Sequence, residues 1–109
     1  MADDVLYKHN IAMPSYQVDF TRKLPNDTTI NTSTSVISSV TKSDGTTITT
    51  SDLIDTLTFS GMVMTIPFKA FGVDGEDYRV LVKGVGQTSA KAESFILEVR
   101  LRNSFLGVV

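Results

Sequence analysis

A chain of 109 residues and 11.9 kDa, 41% hydrophobic and 20% charged, has the size of one domain and the balance of a folded globule, not of a disordered tail or a membrane span. It contains no Cys and one His, which excludes disulfides, Cys/His zinc sites, thiol nucleophiles and His-rich metal clusters within one copy. Ten basic and twelve acidic residues leave a net charge of −2, with no run of like charge longer than two, so no clustered basic patch is there to grip nucleic acid.

Residues 1–14 read as an N-terminal arm that ends at Met13-Pro14. The arm opens on acidic Asp3-Asp4 where a secretory signal carries basic residues and an apolar stretch, which predicts synthesis in a cytoplasm. From residue 15 to residue 102 hydrophobicity recurs with a period of two. Tyr16, Val18 and Phe20 share one face of a half-buried strand, which Leu24-Pro25-Asn26-Asp27 interrupts with turn residues. A second strand is expected from about Ile30 to Lys42, with Ile30, Val36 and Val40 in phase and Ser or Thr nearly everywhere else. Ser43-Asp44-Gly45 is a hairpin turn signal, and Thr46 to Thr50 is the short return.

Leu53, Leu57 and Phe59 suggest another strand, although Asp55 falls in phase with them. Met62, Met64, Ile66, Phe68 and Ala70 then alternate with Val63, Thr65, Pro67 and Lys69, and Pro67 marks an edge strand or one that stops pairing there. After Gly72-Val73-Asp74-Gly75, Tyr78, Val80 and Val82 form one face of a strand, and a closing strand carries Phe95, Leu97, Val99 and Leu101 in phase. About seven antiparallel strands separated by turn signals, with no helical periodicity, predict an all-β, two-sheet Greek-key sandwich over 15–102. A barrel of similar strand count is the alternative architecture. The last seven residues, 103–109, are an apolar tail whose Phe105, Leu106, Val108 and Val109 each gain roughly 1.5–3 kcal/mol from burial in a subunit interface or in the core.

Reactive constellations are not evident. His9 lies in the polar arm, no Gly-x-Ser-x-Gly is present, and Gly84-Val85-Gly86 lacks the helix that a phosphate loop needs. Asp74, Glu76 and Asp77 are too few and too close to enclose Ca²⁺ and read as a solvated turn. The aromatic residues fall mostly on inward phases, whereas Ile37, Leu81 and Ile96 are apolar on outward ones and hint at a contact patch. These features predict no enzyme, no cofactor and no metal.

Gly75-Glu76-Asp77-Tyr78-Arg79-Val80 resembles the corner before the penultimate strand of immunoglobulin-like and fibronectin-type sandwiches. That resemblance implies a structural role for Gly75 and Tyr78, with the Tyr78 ring in the core and its hydroxyl on nearby backbone. The fuller pattern, Leu24-Pro25 to Ile30, the Ser/Thr/Val strand, this corner and Thr88-Ser89-Ala90-Lys91-Ala92-Glu93 before the last strand, is similar to small structural proteins of tailed phages, of the fiber–tail adaptor or neck type. The resemblance implies a virion component without catalysis, made in the host cytoplasm. It would be arranged as a homo-oligomer or ring and bridge connector or tail proteins to fibers, with neither nucleic acid nor membrane as partner. Met13 in the arm and Phe105, Leu106, Val108 and Val109 in the tail are then the expected assembly contacts. An immunoglobulin-like adhesin or carbohydrate-binding module is the alternative, and it predicts an exposed aromatic cluster or a Ca²⁺ site at Asp74, Glu76 and Asp77.

Overall fold

The computed structural model describes residues 3–102. Among them, in chain order, are β1 (Asp4–Lys8), β2 (Ser15–Asp19), β3 (Val36–Lys42), β4 (Thr47–Ile48), the single helical turn α1 (Thr50–Leu53), β5 (Thr58–Ser60), β6 (Val63–Pro67), β7 (Asp77–Val85) and β8 (Ala92–Leu101). They build two sheets, a five-stranded one in the order β1-β8-β7-β3-β4 and a three-stranded one in the order β2-β6-β5. All neighbours are antiparallel except β1 and β8, which run parallel from Asp4↔Leu97 to Lys8↔Leu101.

Alternation explains where the core lies. Tyr78, Val80 and Val82 on β7, Leu97, Val99 and Leu101 on β8 and Val40 on β3 point from the larger sheet into one buried cluster, where Val18, Met64 and Ile66 meet them from the smaller sheet. Phe20, Leu24 and Ile30 close it at one end, and Leu53, Ile54 and Phe68 at a side. Burial of this apolar set is the main stabilising term of the fold.

Four local readings change. Residues 4–8 are not outside the sheets: they form β1, whose Leu6 packs on the core and whose Lys8 is buried, its Nζ donating to the carbonyls of His9 at 2.9 Å and Asn10 at 3.4 Å. The strand expected from Ile30 begins only at Val36, because Asn31 folds its own neighbourhood into a turn. Its Oδ1 accepts from the Ser33 and Thr34 amides and the Ser33 hydroxyl, while Ser35 N–H returns to the Asn31 carbonyl.

The third change is α1, in place of a strand starting at Leu53. The chain crosses here from the edge of one sheet to the edge of the other, and a helical turn lets the adjacent Leu53 and Ile54 both be buried, which strand alternation forbids. The fourth is a bulge between Ile37 and Ser39 in the pairing of β3 with β7. The extra residue, Ser38, turns Ile37 inward against the core and leaves Val36 outward, 38% exposed. Pro67 is the last residue of the central strand of the smaller sheet, where pairing ends and its missing N–H costs least.

Candidate functional site

At one end of the molecule, β1, β6 and β8 finish while β2 and β7 begin, so the connections 9–14 and 68–76 lie side by side. Glu76 organises this end. Its Oε1 accepts from the Tyr78 hydroxyl at 2.6 Å and the Val73 amide at 2.8 Å, and its Oε2 lies 2.7 Å from Lys42 Nζ. The Lys42 ammonium, then the Tyr78 hydroxyl and the Val73 N–H, hold the Glu76 carboxyl down to about 2. Burial first, and the Glu76 carboxylate second, push the Tyr78 phenol upward.

The Tyr78 ring is buried, but its hydroxyl meets a side chain and not the backbone that the sandwich resemblance implied. Glu76 stands between the two, passing the contact on to the Val73 amide. Gly75, at φ +96°, brings its N–H 2.7 Å from the Leu101 carbonyl. Gly72, at φ +88°, leaves open the space where a Cβ would lie 2.5 Å from both the Tyr78 hydroxyl and Leu101 Cδ1.

The acidic trio is accounted for differently from a cation site. Glu76 serves Tyr78 and Lys42, Asp77 Oδ1 lies 2.8 Å from Arg102 Nη2, and no group of three His, Asp or Glu among the described residues is placed to hold a metal. His9 Nδ1 accepts from the Ile11 amide at 3.2 Å, shaping the connection in which it sits.

That connection is fastened to its neighbour by Phe71 N–H to the Asn10 carbonyl at 2.8 Å, by Asn10 Nδ2 to the Gly72 carbonyl at 3.3 Å, and by Phe68 N–H to the Pro14 carbonyl at 2.8 Å. On this tied pair of loops, Ile11, Met13 and Val73 are 66%, 73% and 65% exposed. Large apolar side chains held in water on a hydrogen-bonded frame are what a binding surface presents. Arg102, whose N–H donates to the Lys8 carbonyl at 3.0 Å, lies at the same end. Phe105, Leu106, Val108 and Val109 lie outside the described residues.

At the opposite end, two stretches that carried the phage resemblance meet. Asp27 Oδ1 accepts from the Thr88 and Ser89 amides at 2.8 and 3.0 Å, and its Oδ2 from the Ser89 hydroxyl at 2.6 Å. The Ser89 hydroxyl leads the contacts that hold this carboxyl below its usual range. Ile30 bridges to Gly86, whose missing Cβ leaves room for the Asp27 carboxylate.

No family model, curated protein or solved structure matches this chain. The remaining surface of interest is the outer face of the larger sheet. Leu81 and Ile96 stand directly opposite each other in its centre, with Val36 and Val5 toward its sides, and Ile37, read as outward from the sequence, is absent from it because of the bulge. The next row holds Thr41, Arg79 and Glu98 in register, and the row beyond pairs Asp77 with Arg100. Arg100 lies 5.7 Å above the Tyr7 ring, donates to the Tyr7 hydroxyl at 3.1 Å and pairs with Glu98 at 3.2 Å. A shallow hollow of about 330 Å³ runs from this face to the β3–β4 turn, lined by Lys42, Ser43, Arg79 and Glu98 among others.

Sequence reasoning named Met13, Leu81 and Ile96 but missed Ile11, Val73 and Val36. The first two lie in loops, where periodicity gives no phase, and the third depends on a bulge that a Ser-Ser pair does not announce. The available signal was that Ile11 follows the turn former Asn10 and that Val73 stands between Gly72 and Asp74.

Proposed function

We propose that the protein is a non-enzymatic structural component of a tailed-phage virion, an immunoglobulin-like adaptor at the neck or tail that joins connector or tail proteins to fibers and assembles symmetrically. The observation that carries this reading is the exposure of Ile11, Met13 and Val73 on two loops hydrogen-bonded to each other and to the Tyr78–Glu76 corner. An adaptor needs a stiff scaffold that offers apolar anchors at one end, and repetition around a ring lets each contact be modest. The two-sheet, mostly β architecture is compatible with the sandwich that the sequence resemblance implies.

The test is to purify tailed particles from a host that encodes the chain and to quantify it against the major capsid protein by mass spectrometry. A fixed stoichiometry at a small multiple of a ring symmetry is expected, together with its loss for Met13→Asp combined with Val73→Asp. Absence of the chain from intact particles, or calcium-dependent glycan binding by the free protein, would overturn the reading.

A further inference from the structure

We infer that the outer face of the five-stranded sheet is a self-complementary surface on which a second copy of this chain docks about a two-fold axis. The inference is independent of what Ile11, Met13 and Val73 bind. It follows from register. Consider two such sheets stacked face to face, with a two-fold axis between them that runs parallel to the strands, midway between β7 and β8. Rotation about that axis lays β8 of one copy over β7 of the other and keeps each residue at its own height along the strands. Every cross-strand pair of β7 and β8 is then repeated across the interface.

The pairs on this face are suited to such repetition. Leu81 opposes Ile96, Arg79 opposes Glu98, and Asp77 opposes Arg100. Across the axis these become an apolar centre of Leu81 on Ile96, followed on one side by Arg79 on Glu98 and then Asp77 on Arg100, each occurring twice, with Lys83 on Ser94 on the other side. Opposite charges therefore meet at every charged height where both strands carry one. Arg79 adds a second observation: it is exposed and its side chain makes no hydrogen bond or ion pair among the described residues, although Glu98 stands opposite it. Glu98 instead turns to Arg100 on its own strand.

Distance and area permit the contact. Stacked sheets lie about 10 Å apart, within the joint reach of an Arg and a Glu side chain. Aligned sheets are rotated by roughly 30°, and at the Arg79–Glu98 height, about 7 Å from the Leu81–Ile96 centre, that rotation displaces partners by about 4 Å, which long side chains absorb. About this axis β1, β8, β7 and β3 each find a strand opposite them while the short β4 overhangs, and their lengths at about 4.8 Å spacing give a shared face of roughly 450 Å² per partner, below the roughly 800 Å² of ordinary specific interfaces and in the range of weak, transient ones. The two charged rows set the register, and the apolar centre supplies most of the attraction.

The experiment is sedimentation equilibrium on the full chain at concentrations up to about 0.5 mM, a range that detects dimers of micromolar to sub-millimolar affinity. Wild type is expected to form dimers. Arg79→Glu, which sets Glu against Glu98 of the second copy twice over, is expected to weaken dimerisation at least about tenfold, and the double change Arg79→Glu with Glu98→Arg to restore it. Ile96→Ser, at the apolar centre, is expected to weaken it without touching any charge. Far-UV circular dichroism and thermal melting establish that each variant is folded. A wild type that stays monomeric throughout, a dimer indifferent to Arg79→Glu, or a double variant no better than the single one would each overturn the inference.

Discussion

Gly84 lies within β7, facing the core where a side chain would be expected, and its reason for being glycine is the ring of Phe20. A Cβ at residue 84 would sit 2.6 Å from both Cε1 and Cζ of that ring and 2.7 Å from Cδ1. Real carbon contacts are about 3.5–4.0 Å, so the ring must move by close to an ångström. Phe20 is fully buried among core residues and has little room to move. Gly84→Ala is therefore an overpacking substitution and should destabilise by about 1–3 kcal/mol.

In a domain of this size, each kcal/mol lowers Tm by roughly 4–8 °C, so a fall of at least about 4 °C is expected by calorimetry or circular dichroism. Phe20→Leu removes the two nearest clashing atoms, Cε1 and Cζ. The cost of Gly84→Ala should shrink by more than half when measured in the Phe20→Leu background, a coupling that a double-mutant cycle isolates. If Gly84→Ala melts with wild type, or costs the same in both backgrounds, the packing argument is wrong.

Two further predictions concern the ends of the molecule. Glu76 has a folded-state pKa of about 2 against an ordinary value of 4.5, so its contribution is fully present above pH 4.5 and disappears as pH falls toward 2. Partial exposure reduces that contribution to about 1–2 kcal/mol, and Glu76→Gln should flatten the acid limb of a Tm-versus-pH curve by that amount while leaving its shape above pH 6 unchanged. An acid limb identical in wild type and variant would show that Lys42 and Tyr78 do not hold the carboxylate. At the other end, Asp27→Ala removes the acceptor for two amides, and hydrogen exchange at Thr88 and Ser89 should accelerate well before exchange in β7 does. Unchanged exchange at those amides would mean that the 86–91 turn holds its shape without Asp27.

Sequence reading succeeded where one face of a strand is buried. Tyr78 to Val82 and Leu97 to Leu101 alternate without interruption, because each strand has one dry face and one wet one, and both pair over their length. It failed in the hydroxyl-rich stretch from Thr28 to Ser60. There Ser and Thr suit a strand, a turn or a helical start almost equally, and the outcome is decided by partners distant in sequence. Asn31 capping its own turn, Leu53 and Ile54 both reaching the core, and Ser38 bulging out of β3 are such outcomes.

The N-terminal residues 4–8 misled for another reason. Val5, Leu6 and Tyr7 form a mixed run without alternation, and β1 owes its place to parallel pairing with β8, for which a single sequence carries no mark. In the candidate site, the burial of the Tyr78 ring was legible from its phase with Val80 and Val82. The role of Glu76 as acceptor of the tyrosine hydroxyl was hidden, because an acidic residue in a turn ordinarily reads as solvated.

If Ile11, Met13 and Val73 anchor an assembly partner, the methionines offer a direct probe of that contact. Met13 is 73% exposed, whereas Met62 and Met64 are buried and serve as internal references. Brief peroxide or hydroxyl-radical treatment followed by peptide mass spectrometry should oxidise Met13 rapidly in the free protein, and spare Met62 and Met64. In assembled particles that contain the chain, Met13 should be protected at least about tenfold relative to the free protein, since a covered side chain is reached only through local opening. Equal oxidation of Met13 in free protein and in particles would show that this end faces solvent in the assembly, and would contradict the central claim.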